Sequence, residues 1–360
     1  MEELQDKTQT IYQFTKVAEV EATPVRDQGE TGACWAFATI SFLESELKRK
    51  GIGTFDLSEM FVVRHEYAEK IKDYYLRQGR GHIGQGAMPH RVLEIIAKYW
   101  ITLASDYPGM PLNYKKHDHT ELFAYYEALA YAAVELKRYS AEFHSLLQDL
   151  LDIYLGDKYR TFVLNNRNTT PKAYASLIGL TDLNDYIEIT SFLHHPFYTR
   201  FPLEIVSNWN NLPLYNVPLN DLMAIIDTAL LNGYSFVWGG SQTEAFNHNM
   251  GIAIEPLEKD IEDALKLKKI YPEEYVSQEL RQTNYETYIT EDDHMLHVTG
   301  LYKDQNGCTF YKCKNSWGTK LNEDMGGYLY MSKAYMQMRT MYILIHKEAI
   351  PTPLYIKMNL

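Results

Sequence analysis

The stretch TPVRDQGETGACWAFATISFLESEL, residues 23–47, decides how the rest of the chain is read. It opens as a loop punctuated by Pro24, Gly29 and Gly32 and ends abruptly at Cys34. From there Ala36, Phe37, Ile40, Leu43 and Leu47 recur at three- and four-residue steps, which predicts a helix with one apolar face running to Lys50. Lys48, Arg49 and Lys50 place cations at the negative end of its dipole, and Gly51 supplies a cap. Cys34 therefore sits at the first turn of a helix, where free N–H groups and a partial positive charge favour thiolate over thiol. A cysteine without such a context is more often a small buried hydrophobe; here the position suits a nucleophile.

Outward from this stretch, helical signals dominate the first two thirds of the chain. Asp56-Leu57-Ser58-Glu59 starts a helix to about Lys72, and a third runs from Pro89 to Tyr99 before the turn Asp106-Tyr107-Pro108-Gly109. Residues 118–155 carry the longest apolar stripe, without sustained heptads, and predict a packed helical hairpin. NNRNTTP at 165–171 is expected to be a loop leading into a short helix. Leu219 to Leu231 predicts another helix, ending at Asn232-Gly233 before the buried-strand pattern SFVWGG. A charged helical stretch is expected at about 257–281. After it come strand patterns: HMLHVTGLY, CTFYKCKNSW, GGYLYM and MYILIH. Helices early and strands late predict an α+β chain of two lobes.

Composition narrows the function. The 35 Lys and Arg against 47 Asp and Glu give a net charge of −12, so no global field draws nucleic acid or an anionic membrane. No apolar run reaches the length of a membrane helix, and the start MEELQDKTQTIYQF is polar and acidic, unlike a signal segment. The three cysteines, Cys34, Cys308 and Cys313, are too few for a disulfide framework and have no metal-type spacing. His194 and His195, adjacent in sequence, are not a ligand pair by themselves, so neither metal nor cofactor is expected.

Residues 23–47 resemble the active-site segment of the papain-like cysteine peptidases, and further matches follow in that family's order. LSEM at 57–60, GQGAMPHRVLEIIAKYWITLASDYPG at 84–109, DDHMLHVTGLY at 292–302 and KNSWGTKLNEDMGGYLYM at 314–331 resemble its successive motifs. The resemblance implies a two-lobed papain-like fold. Its helical lobe would span about 23–110 and its β-rich lobe about 233–350, with a tail at 351–360. It also implies roles. Cys34 is the nucleophile, and Gln28 donates with the Cys34 N–H to the developing oxyanion. Asn315 holds the imidazole tautomer of the catalytic histidine. For that histidine His294 is preferred to His297, which lies three residues on and faces the other side of the strand. His294 has the family's six-residue offset to Gly300. Gly84, Gln85, Gly86, Asp293 and Trp317 are expected to border the substrate, with Trp317 also shielding the His294–Asn315 bond.

The chain departs from secreted members by lacking their bridge cysteines; Thr31 and Gln85 stand in those places. Cys34 and His294 are 260 residues apart, against about 130 to 150 in papain-type enzymes. A helical insertion at about 115–215 accounts for the excess, and TPKAYASLIGLTDLNDYIEITSFLHHPFYTRF within it resembles the bleomycin hydrolase and aminopeptidase C branch. In that branch a C-terminal arm enters the cleft and its carboxylate limits cleavage to substrate amino termini; the residues after GGYLYM here are few for such an arm. The resemblance thus implies a cysteine peptidase acting on peptides, of aminopeptidase type. Its alternative is a catalytically idle peptide-binding scaffold. A cytoplasmic location is expected, with periplasm or secretion open if a signal peptide was removed, and a homo-oligomer also stays open.

Overall fold

The computed structural model describes residues 11–360 except 112–113, 158–161, 165–166, 181–182, 265 and 267–268. The first ten residues of the polar start thus lie outside the described residues. After β1 (Thr15–Glu19) come α1 (Cys34–Arg49), α2 (Glu59–Leu76) and α3 (Pro89–Tyr99), then the hairpin α4 (Thr120–Glu135) and α5 (Ala141–Leu155). The α2 start follows its sequence signal: the Ser58 hydroxyl accepts from Phe61 N–H at 3.0 Å. Gly109, at φ +65°, packs the following turn so close to α2 that a Cβ there would lie 1.9 Å from Met60 Cβ.

Where a loop was expected near 165–171, β2 (Phe162–Leu164) and β3 (Arg167–Thr169) form a two-stranded ribbon before α6 (Pro171–Leu177). Apart from this ribbon, the insertion is helical only as far as α6. From Tyr186 it supplies β4 (Tyr186–Thr190), β5 (Arg200–Pro202) and β6 (Pro213–Asn216), and β4 pairs with a strand from the far end of the chain. The reason is local: YIEIT alternates in a way that suits a strand, and its residues are largely buried.

Then follow α7 (Leu219–Leu231), β7 (Phe236–Gly240), β8 (Phe246–Asn247), β9 (Ile252–Ala253), α8 (Ile261–Ala264) and α9 (Gln278–Glu286). The expected charged helix over 257–281 is thus broken. Pro272 interrupts it, and the Glu273 carboxylate accepts from Glu255 N–H at 2.7 Å, which holds the chain extended. The chain ends with β10 (His294–Lys303), β11 (Thr309–Lys314), β12 (Tyr328–Ser332), α10 (Lys333–Arg339), β13 (Thr340–His346) and α11 (Thr352–Lys357).

One eleven-stranded sheet has the order β5-β6-β4-β13-β7-β10-β11-β12-β9-β8, with β1 added beside β10. Its central strands β7 and β13 are buried throughout, because α1 to α3 cover one side and α7 with α10 the other. Leu354 and Met358 seat α11 on the α7 side, and Lys357 lies over the Tyr198 ring. Among the described residues no helix is long and apolar enough to cross a membrane.

Candidate active site

Cys34 opens α1 behind Ala33, which offers no side-chain cap, and the first turn of the helix holds no acid. Ala36 N–H donates to Ala33 O at 2.9 Å, so the Cys34 and Trp35 N–H groups are the ones left for other partners. The half-buried sulfur receives backbone N–H groups from Trp35 and from Met295 at the start of β10. That contact sets the two lobes against each other at the thiol. The loop before it is sewn to the segment after β11: Gln28 N–H donates to Ser316 O at 2.8 Å, Gly318 N–H to Arg26 O at 3.0 Å, and Ser316 Oγ to Gln28 Oε1 at 2.6 Å. The Gln28 amide nitrogen donates to Thr31 O at 2.6 Å, which leaves its second proton for another acceptor.

His294 Nε2 lies 2.9 Å from Asn315 Oδ1, and the Trp317 ring covers that histidine at 4.8 Å between centroids. With Nε2 donating to Asn315, Nδ1 is the nitrogen able to take a proton. His297 is turned away: its Nδ1 meets Ser41 Oγ on α1 at 2.8 Å, and that hydroxyl also accepts from Lys314 Nζ at 2.7 Å. The strand alternation thus separates the two histidines as expected.

Burial dominates the electrostatics. It pushes the Cys34 thiol up to about 12, an effect to which the Asp292 and Asp293 carboxylates add and which the two N–H groups oppose. It pulls His294 down to about 4 against the Asn315 bond. Both shifts favour the uncharged forms of the two groups.

The remaining expected residues are placed as follows. The Gln85 side chain accepts from Gly32 N–H at 2.8 Å and its carbonyl from Trp35 Nε1 at 3.1 Å, so it braces the Cys34 loop. The Gly84 carbonyl accepts from Lys70 Nζ at 2.8 Å, and the Gly86 carbonyl accepts from the same ammonium. Asp293 accepts from Gln242 N–H at 2.8 Å and fixes the turn after β7.

Sequence reasoning missed two groups of residues. His248 Nδ1 accepts from Asn315 Nδ2 at 3.2 Å, which orients the amide so that its oxygen faces His294. Asp292 accepts from Tyr342 OH at 2.7 Å and from Ser207 Oγ. Burial raises its carboxyl to about 6. Nothing local in FNHNM or FPLEIVSNWNN marks these residues. His194 and His195 meet at Glu204, at 3.0 and 2.8 Å, and their three ligand-type atoms lie within 4.8 Å. Gln282 decides what this trio is. Its oxygen is taken by Leu193 N–H, so its N–H faces His194 Nδ1 and the ring proton sits on Nε2, donating to Glu204. The trio is joined as a hydrogen-bonded clasp in which Glu204 accepts from both rings.

The model of the Peptidase C1-like family matches residues 151–359, and that of the papain family cysteine proteases matches residues 12–149. The chain belongs to the Peptidase C1-like family. It is a cysteine peptidase of α+β papain-like fold, and the family implies peptide substrates. Aminopeptidase C of Listeria innocua is 22% identical over 92% of this chain and 81% of its own length. Aminopeptidase G of Lactobacillus delbrueckii subsp. lactis is 21% identical, over 92% and 82%. The crystal structure of PepW from Lactobacillus rhamnosis HN001 superposes with a TM-score of 0.74 at 18% identity, covering 96% of this chain and 84% of that one. The fold is common to both.

Proposed function

We propose that this peptidase removes amino-terminal residues from peptides through a Cys34 acyl-enzyme. The observation that carries the chemistry is the His294–Asn315 bond under Trp317, beside a thiol at a helix N-terminus. His294 takes the Cys34 proton, and the sulfur attacks the scissile carbonyl, forming the C–S bond. The oxyanion is held by the Gln28 amide and the Cys34 N–H. Collapse breaks the C–N bond as His294 returns the proton to the leaving amine. Water, deprotonated by His294, then splits the thioester and restores the thiol.

The amino-terminal preference is supported by the aminopeptidases that match over most of both chains. Three unbridged thiols, with Cys308 exposed, fit a reducing compartment such as the cytoplasm. Cys34→Ala tests the reading. Loss of peptide hydrolysis by at least about four orders of magnitude is expected, together with loss of the iodoacetamide labelling expected at Cys34 in the wild type. Unchanged hydrolysis, or a native Cys34 that resists the alkylator, would favour an idle peptide-binding scaffold.

A further inference from the structure

The sheet order β13-β7-β10-β11 gives the two sides of His294 different neighbours. Asn315 and Trp317 follow β11 on one side, whereas Asp292, two residues before His294, is held on the other by Tyr342 of β13. In the mechanism proposed above, His294 hands its proton to the leaving amine on the Trp317 side, which leaves the Asp292 side to the acyl part of a substrate. That side is crossed by chain. Between β5 and β6, residues 205–211 run from one lobe to the other. Ser207 Oγ donates to Asp292. Trp209 Nε1 donates to Glu66 of α2 at 2.7 Å, with the Arg91 guanidinium 4.5 Å over its ring. Asn210 donates to Glu94 at 3.0 Å and its oxygen meets His90 Nε2 at 2.8 Å, both on α3.

The segment is stiff as well as anchored. Asn208 closes it on itself, donating to Leu203 O at 3.2 Å and Leu212 O at 3.0 Å and accepting from Leu212 N–H at 3.0 Å. The His194–His195–Glu204 clasp fixes its start. A groove of about 560 Å³ remains between Gly84 with His82 on one wall and Ile205, Val206 and Trp209 on the other. Asp292 sits at the inner end of the segment, intermediate in exposure as a residue, with its carboxyl group well buried. Its two hydroxyl donors use one lone pair on each oxygen, and a carboxylate has about four such positions.

We infer that residues 205–211 form a strap that closes the acyl side of the cleft, and that Asp292 at its inner end binds the α-ammonium group of the substrate. This rests on the amino-terminal reading above and deepens it. It assigns to an internal segment the restriction that the related branch places in a C-terminal arm, and it requires a substrate with a free amino terminus. An α-amino group of pKa about 7.7 to 8.0 is largely charged at neutral pH and matches one carboxylate.

The experiment uses aminoacyl-coumarin amides with the amino group free or acetylated, together with longer acetylated peptides, on the full chain. Iodoacetamide titration of Cys34 counts folded sites in each variant. Wild type is expected to favour the free amine. In Asp292→Asn, KM for the free-amine substrate should rise at least about tenfold, while the acetylated amide changes little. In the Ser207→Ala/Trp209→Ala double variant, turnover of long acetylated peptides should rise at least about tenfold over wild type. A wild type indifferent to acetylation overturns the amino-terminal reading itself. A selective wild type whose variants keep the same ratio, or lose both substrate classes in parallel at equal titrated sites, overturns the strap alone.

Discussion

On the Trp317 side of Cys34 the groups proposed to hold and move the proton come from residues 294–317, one strand pair and the turn after it. On the Gly84 side, Asp292, the Ser207–Trp209 segment and Tyr342 come from three separate parts of the chain and meet only in the folded protein. The contrast separates two jobs. Proton transfer needs sub-ångström geometry, which a short rigid hairpin supplies at little entropic cost. Limiting the length of substrate needs only bulk and an anchored charge, which distant segments can provide without disturbing the chemistry.

The largest effect expected on the first side separates the two strand histidines. His294→Ala should lower kcat by roughly three orders of magnitude or more, whereas His297→Ala, which loses a bond to Ser41 behind the site, should lower it less than about tenfold and act mainly on stability. Parallel kinetics and urea unfolding of the two variants check this; equal kinetic losses would erase the distinction.

On the second side, Gly239 makes room for Tyr342. A Cβ there would lie 2.2 Å from the Tyr342 ring, which in turn holds Asp292. Gly239→Ala is expected to cost about 1–3 kcal/mol of stability and to weaken free-amine substrates more than acetylated ones. Thermal unfolding and the two KM values measure it, and an unaltered KM ratio would cut the link from Tyr342 to Asp292.

A smaller effect is expected at His248. His248→Ala removes the acceptor that orients the Asn315 amide and should lower kcat about fivefold with KM unchanged, the worth of one hydrogen bond of about 1 kcal/mol. A change confined to KM would assign His248 to the substrate instead.

The smallest is a pH effect at the strap. Burial lowers the His90 pKa, but the Glu188 carboxylate and the Asn210 oxygen more than offset it, and the net shift is upward. A group whose folded pKa exceeds its unfolded value stabilises fully below the unfolded value, about 6.5, and loses that contribution as pH rises through the folded one. The stability gap between wild type and His90→Gln should therefore narrow from pH 6 to pH 9 in urea unfolding. A gap that widens would mean that His90 anchors the strap in its neutral form.

By itself the sequence determined the helix that Cys34 opens, the order of Gln28, Cys34, His294 and Asn315, and the opposite facing of His294 and His297. These depend on local periods, on turn chemistry and on spacing within short segments. It read the insertion at about 115–215 as helical, whereas its last part holds short strands, of which β4 pairs with β13 through Ile189 and Ile343, a partner about 150 residues away. Only the tertiary structure decided that Asp292 faces Ser207 and Tyr342, that His248 orients Asn315, and that Glu204 joins His194 to His195 as a clasp. Such contacts are fixed by which surfaces pack together. No period or motif encodes them, and a lone Asp, Ser or Trp carries no signal of its partner until the lobes close on each other.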